Sequence, residues 1–317
     1  MTKRWAFLFP GQGAQYPGMG RDFYDTFPIA KATFQEADEL LDFPFSQLIF
    51  EGSAAELTLT KNSQMAIFIV STAIYRTVKE QFPSIIPSVC AGLSLGEYTA
   101  LVASGKTTFA QCLELVCVRA NAMHEACEET QGTMQVVLGL SEEVVREVLD
   151  HLTPHQAVWI ANLNCPEQVV IAGSCEAMPL VADALKQKGA KRVLPLEVSG
   201  AFHSAYMASA QAKLDPKIAS TPFTSSDVQI VMNVPGNFVT DIADIRRNLF
   251  QQVVSPVRWE KGIRAMMDSV DVFLEMGPGK TLSGMNRKIG VSAPTISIEK
   301  IADLEQLVKS VEAYATT

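Results

Sequence analysis

The spacing of apolar positions divides the chain into stretches with different rhythms. Trp5-Ala6-Phe7-Leu8-Phe9 is a continuous apolar run ended by Pro10-Gly11, the pattern of a strand buried on both faces. Helical spacing follows at about 29–41 and 63–79. In the second segment Met65, Ala66, Ile67, Phe68, Ile69 and Val70 are apolar almost all round, which predicts a helix at the centre of a core. Ser88-Val89-Cys90-Ala91 is another short apolar run. Thr108 with Gln111 then forms a capping box that opens a helix to about 128.

From Met134 the rhythm shortens. Strands are predicted at 134–140, 157–163, 168–172 and 192–196 and helices at 141–152 and 176–188, with Asn164-Cys165-Pro166-Glu167 as a hairpin turn. That β-α-β-β-α-β order is the ferredoxin-like unit. Longer alternation then resumes, with strands at 230–234 and 272–276 and helices at 241–252, 259–267 and 302–313. The chain reads as a large α/β domain, residues 1–128 and 199–317, split by a small domain inserted at 129–198.

Composition narrows the function classes. A chain of 317 residues, 48% hydrophobic and 19% charged, can bury a large core and carries no signature of disorder. The net charge of −8 argues against nucleic acid as a partner. The run at 5–9 is too short for a signal peptide, and the longest apolar stretch, Met65 to Tyr75, is too short to span a membrane. Six cysteines never form C-x-x-C, so they read as reduced, buried thiols and not as a metal site or disulfide frame. A soluble cytoplasmic protein without membrane attachment is expected.

Candidate chemistry centres on Gly92-Leu93-Ser94-Leu95-Gly96, which stands between a predicted strand and a predicted helix. In that context G-x-S-x-G makes a sharp turn with the serine exposed at its apex. Two other glycine-rich stretches are weaker. Pro10 to Gly20 lacks the third glycine of a dinucleotide fingerprint, since Tyr16 stands there, and Gly279-Lys280-Thr281 lacks the first glycine of a P-loop, since Leu274 stands there. No resident cofactor is expected. The loop after the first strand is read as one that brings bare N–H groups to a ligand.

A serine nucleophile needs a base, and the chain has four histidines. His124 lies on a predicted helix, while His151 and His155 flank a predicted turn at Leu152-Thr153-Pro154. His203 follows the small domain's last strand, at the boundary between domains where clefts form, and is the preferred base. Arg119 has Leu115, Val116, Ala122 and Met123 as its helical neighbours. An arginine on an apolar face needs a partner. That partner is either an internal Asp or Glu, or a substrate carboxylate gripped by the guanidinium fork.

The motifs Pro10-Gly11-Gln12-Gly13-Ala14-Gln15, Gly92 to Glu97, Arg119, Asn162 to Gly173, Gly200-Ala201-Phe202-His203-Ser204 and Gly277-Pro278-Gly279 occur in the order seen in malonyl-CoA:acyl carrier protein transacylases. The resemblance spans nearly the whole chain. It implies an α/β-hydrolase-like core with a mainly parallel sheet and a ferredoxin-like subdomain. Malonyl-CoA and acyl carrier protein would be substrate and partner. Ser94 would carry the malonyl ester, His203 would act as base and then acid, and the N–H groups of Gln12 and Leu95 would form the oxyanion hole. Arg119 would hold the malonyl carboxylate. Gln252 would orient His203 through its main-chain carbonyl, giving a Ser-His dyad with no acidic third member. One departure is Leu93, where the family usually has histidine.

Three further expectations complete this reading. Phe202 beside the base would leave little room for a methyl group at the α-carbon. Lys186, Lys188, Lys191 and Arg192 would form a basic patch that steers an acidic carrier protein. The enzyme would be a monomer. The rival readings are a serine esterase or thioesterase with Asp150 or Asp183 as third triad member, and a non-catalytic carrier-binding module.

Overall fold

The computed structural model describes residues 3–152 and 157–315, with residues 311–315 by backbone alone. The predicted turn at Thr153-Pro154 and His155 lie outside the described residues. Strand β1 (Trp5–Phe9) is buried at every position, as its unbroken apolar run requires. It is followed by helices α1 (Arg21–Thr26), α2 (Pro28–Leu41), α3 (Phe45–Glu51), α4 (Ala54–Thr58) and α5 (Thr60–Gln81). Every residue of α5 from Ser63 to Tyr75 is buried, including the polar Gln64. Strand β2 (Pro87–Gly92) then enters α6 (Gly96–Ala103), and α7 (Phe109–Glu129) follows. Thr108 caps α7 as expected: its hydroxyl accepts the Gln111 N–H, and the Gln111 side chain accepts the Thr108 N–H.

The next elements are β3 (Gly132–Leu138), α8 (Glu142–Leu152), β4 (Val158–Cys165), β5 (Gln168–Ser174), α9 (Met178–Gln187) and β6 (Arg192–Pro195). They follow the β-α-β-β-α-β order read from the sequence, and their strands form a separate antiparallel sheet ordered β4-β5-β3-β6. Side chains alternate across it, as the pleat demands. Val137, Val169 and Ile171 pack with α8 and α9, whereas Met134, Val170 and Ala172 join the main core. Strand β3 ends earlier than predicted because the chain turns at Gly139, whose φ is +90°.

The remaining elements are α10 (Ala208–Ser220), β7 (Gln229–Met232), β8 (Asn237–Val239), α11 (Ile242–Gln252), α12 (Trp259–Met266), β9 (Val272–Met276), α13 (Thr281–Ile289), β10 (Thr295–Ile298) and α14 (Leu304–Ala315). The larger sheet has the order β10-β9-β1-β2-β7-β8, parallel except for the β7–β8 pair. Phe9 is in register with Gly92 at the carboxyl ends of β1 and β2. The loops that leave β1, β2, β7 and β9 therefore emerge on one edge, where open parallel sheets place their ligands. The small sheet is tied to this edge. Leu163 N–H donates to the Val257 carbonyl at 2.8 Å, and Val257 N–H donates to the Ala161 carbonyl at 2.9 Å. Among the described residues no helix is long and apolar enough to cross a membrane, and no cluster of metal-ligating side chains forms.

Candidate active site

Ser94 occupies the tight turn between β2 and α6 with φ of 50°, a left-handed conformation that a non-glycine residue adopts at a cost. The flanking glycines permit the turn. A Cβ on Gly92 would lie 1.9 Å from the Gly96 carbonyl carbon, and one on Gly96 would lie 2.1 Å from the Phe9 carbonyl oxygen. The strained backbone is held from outside. Ser94 N–H donates to Asn233 Oδ1 at 2.7 Å, and the Ser94 carbonyl accepts Gln252 Nε2–H at 2.9 Å.

The turn brings Ser94 Oγ to 2.8 Å from His203 Nε2, and His203 Nδ1 to 2.8 Å from the Gln252 main-chain carbonyl. His203 is also in the left-handed region, with φ of 59°. A carbonyl at Nδ1 requires that nitrogen to carry the proton, which leaves Nε2 as an acceptor for the serine hydroxyl. Burial lowers the imidazole from its ordinary value to about 4, and the neighbouring Arg119 charge adds to the effect. The ring is thus neutral at physiological pH, as a general base must be.

The acid-bearing rival finds no support in this arrangement. Nδ1 meets a carbonyl, Asp183 pairs with Lys186, and Asp150 is exposed on α8. His151 bonds to the Glu147 carbonyl and His124 lies beside Glu128.

Arg119 is 1% exposed, and its three hydrogen-bond acceptors are all uncharged. Nη1 donates to Gln64 Oε1 at 2.5 Å, while Nη2 donates to Gln252 Oε1 at 3.0 Å and Ser94 Oγ at 3.1 Å. Its Nε–H finds no acceptor among the described residues, and its guanidinium lies 5.2 Å from the centroid of the Tyr98 ring. Of the two partners left open by the sequence, the internal Asp or Glu is not in contact. A fixed cation therefore lies beside the serine hydroxyl.

These groups open into a cavity of about 290 Å³ between the two sheets. The loop after β1 forms one wall, Asn162, Asn164 and Val170 of the small sheet another, and Leu282 and Met285 of α13 a third. Among the described residues, the N–H groups of Gln12 and Leu95 donate to no protein acceptor, and Gln12 lines the cavity. Phe202, 5% exposed, lines the cavity beside His203. Leu93 also lines it and packs against an apolar cluster, so the position next to Ser94 is apolar here.

The basic cluster is the least supported of the expected features. Lys186 pairs with Asp183, Lys188 with Glu147 and Lys191 with Glu167. Such exposed pairs contribute little stability, and each sets a carboxylate beside one cation of the cluster. Lys186 and Lys188 also belong to α9 and its end, on the face of the small sheet away from the cavity. The sequence reading missed Gln64, Asn233 and Glu97. Each is a polar residue in a buried setting, and Glu97 stands on a helix as apolar as that of Arg119.

The acyl transferase domain family matches residues 6–304. The malonyl CoA-acyl carrier protein transacylase of Bacillus subtilis (strain 168) is 42% identical over 309 residues, 97% of each chain. That of Escherichia coli (strain K12) is 39% identical over 287 residues, 90% of this chain and 93% of the relative. Among solved structures, MCAT from Streptococcus pneumoniae aligns with a TM-score of 0.92 at 40% identity, over 97% of this chain and all (100%) of the other. A malonyl-transacylase in complex with its type II PKS acyl-carrier protein aligns with a TM-score of 0.93 at 36% identity, over 97% and 99%.

Proposed function

This chain belongs to the malonyl CoA-acyl carrier protein transacylase family, and on that premise we propose that it carries malonyl groups from malonyl-CoA to the phosphopantetheine thiol of an acyl carrier protein, supplying extender units for fatty acid synthesis. Ser94 Oγ attacks the thioester carbonyl while its proton passes to His203 Nε2. The tetrahedral oxyanion is met by the N–H groups of Gln12 and Leu95, at the start of α6. Collapse expels the CoA thiolate, which takes the proton from His203 and leaves malonyl-Ser94. The carrier thiol then attacks that ester by the same steps in reverse order.

The observation that carries this reading is Arg119, a buried cation beside Ser94 with only neutral partners. The Glu97 carboxyl acts on it only through space, so the bidentate fork itself holds no anion, and a malonyl carboxylate is the anion it fits. A neutral acyl group would leave it unused. Phe202 is read as a limit on α-branched acyl groups. Residues 1–128 and 199–317 are taken as an α/β-hydrolase-like core and 129–198 as a ferredoxin-like subdomain, in a monomeric cytoplasmic enzyme with no resident cofactor.

The test is the rate of Ser94 acylation by malonyl-CoA and by acetyl-CoA in single turnover, read by intact-protein mass, followed by addition of holo carrier protein. The adduct is expected to pass to the carrier and not to water. In Arg119→Ala the malonyl rate should fall by the worth of a charge-assisted contact, about 2–5 kcal/mol, or roughly 30-fold to several thousandfold. The acetyl rate should hold or rise. A variant that loses both rates equally and melts early would make Arg119 a structural residue.

A further inference from the structure

The acyl-transfer steps above use Ser94, His203, Arg119 and two N–H groups, yet a second ionisable group is buried against them with no assigned part. Glu97, in the first turn of α6, has no exposed surface. Its Oε2 accepts the Asn233 N–H at 2.6 Å and its Oε1 accepts Gln252 Nε2–H at 2.9 Å. Both partners lead to the reacting groups. Asn233 Oδ1 holds Ser94 N–H, and Asn233 Nδ2 donates to the Gly92 carbonyl at 2.7 Å. Gln252 bonds to the Ser94 carbonyl through Nε2, to Arg119 through Oε1 and to His203 through its main-chain oxygen.

We propose that Glu97 is a positioning residue of this site, its carboxylate fixing the direction of the Gln252 amide and, through Asn233, the turn that presents Ser94. The inference rests on the roles given above to Ser94, His203 and Arg119. An amide can be placed either way round in similar space, but its two ends are opposite in role. With the carboxylate drawing Nε2, Oε1 is left to face the guanidinium. A flipped amide would set an NH₂ group against Arg119, donor against donor. Burial pushes the Glu97 carboxyl up to about 8, opposed by the Asn233 N–H, the Arg119 charge and the Gln252 amide. Both of its oxygens accept N–H donors, which only the ionised form can do, so glutamine, which matches the shape, cannot replace it: one end of its amide would meet a donor with a donor.

The test compares Ser94 acylation by malonyl-CoA and acetyl-CoA in the full-length wild type, Glu97→Gln, Gln252→Ala and the double variant. Misplacing reacting groups by about 1 Å costs on the order of a hundredfold. Glu97→Gln should therefore lower malonyl acylation by about 10- to 100-fold and the malonyl-to-acetyl ratio by about tenfold. Gln252→Ala should lower the ratio similarly, and the double variant should add little, because the two act in series. A ratio unchanged in Glu97→Gln overturns the proposal, as does full additivity. If Glu97→Gln does not fold, Gln252→Ala decides, and an unchanged ratio there overturns the relay. A wild type that takes both acyl groups equally defeats the malonyl reading alone. Glu97 is then judged on the total acylation rate of Glu97→Gln, which must still fall at least about tenfold.

Discussion

A Ser94→Ala protein mixed with malonyl-CoA is expected to gain no malonyl mass while melting within a few degrees of the parent. The substitution removes one atom, and that atom's contacts are His203 Nε2 and Arg119 Nη2. The fold does not depend on them. The left-handed turn is held through the Ser94 main chain, by Asn233 on its N–H and Gln252 on its carbonyl. Alanine pays the same backbone strain at φ of 50° as serine does. The cavity, the two N–H donors and Arg119 all persist, so malonyl-CoA should still bind. Covalent transfer cannot proceed without the oxygen that forms the ester. Intact-protein mass and a thermal melt on the same sample check both halves. A labelled Ser94→Ala protein would place the nucleophile elsewhere.

What the sequence made legible follows from how local each signal was. The Ser94 turn is written in five consecutive residues, and steric need accounts for both of its glycines. Arg119 stood out because a charge on an apolar helix face is conspicuous without any knowledge of its neighbours. Glu97 carries the same signal on α6, but it lies inside the motif that the Ser94 turn accounts for. Gln64 and Asn233 are neutral, so nothing in one dimension marks them. Gln252 came only from the family resemblance, since its part is played by a main-chain carbonyl.

The missed strands have a similar cause. Strands β8 and β10 span three and four residues, too few for an alternating pattern to separate from a loop. The basic cluster shows the converse. Its four cations are neighbours in sequence, but Glu147 and Glu167, which neutralise two of them, come from α8 and the β4–β5 turn. Local charge counting cannot see compensation that arrives from another element.

His203→Ala tests the other half of the dyad and should slow Ser94 acylation by about two to four orders of magnitude, the usual worth of a general base. The pH dependence of the wild type sharpens the assignment. A free histidine titrates near 6.5, and burial together with Arg119 brings His203 down to about 4. Only the neutral ring can accept the serine proton. The part of the rate that His203 sets should therefore stay nearly flat as pH falls through 6.5 and decline only near 4, a limb separate from that of Glu97, which burial pushes up to about 8. Stability follows the same window. Between those two values the unfolded chain binds a proton that the folded chain refuses, so this group's contribution is intact above about 6.5 and is lost as pH falls through about 4. Single-turnover acylation from pH 3.5 to 8, corrected for any unfolding by a parallel melt, reads both effects. An acid limb centred near 6.5 would mean that the proton acceptor is a more exposed group than His203. In His203→Ala the limb near 4 should vanish along with most of the rate, because no titrating base is left within reach of Ser94 Oγ.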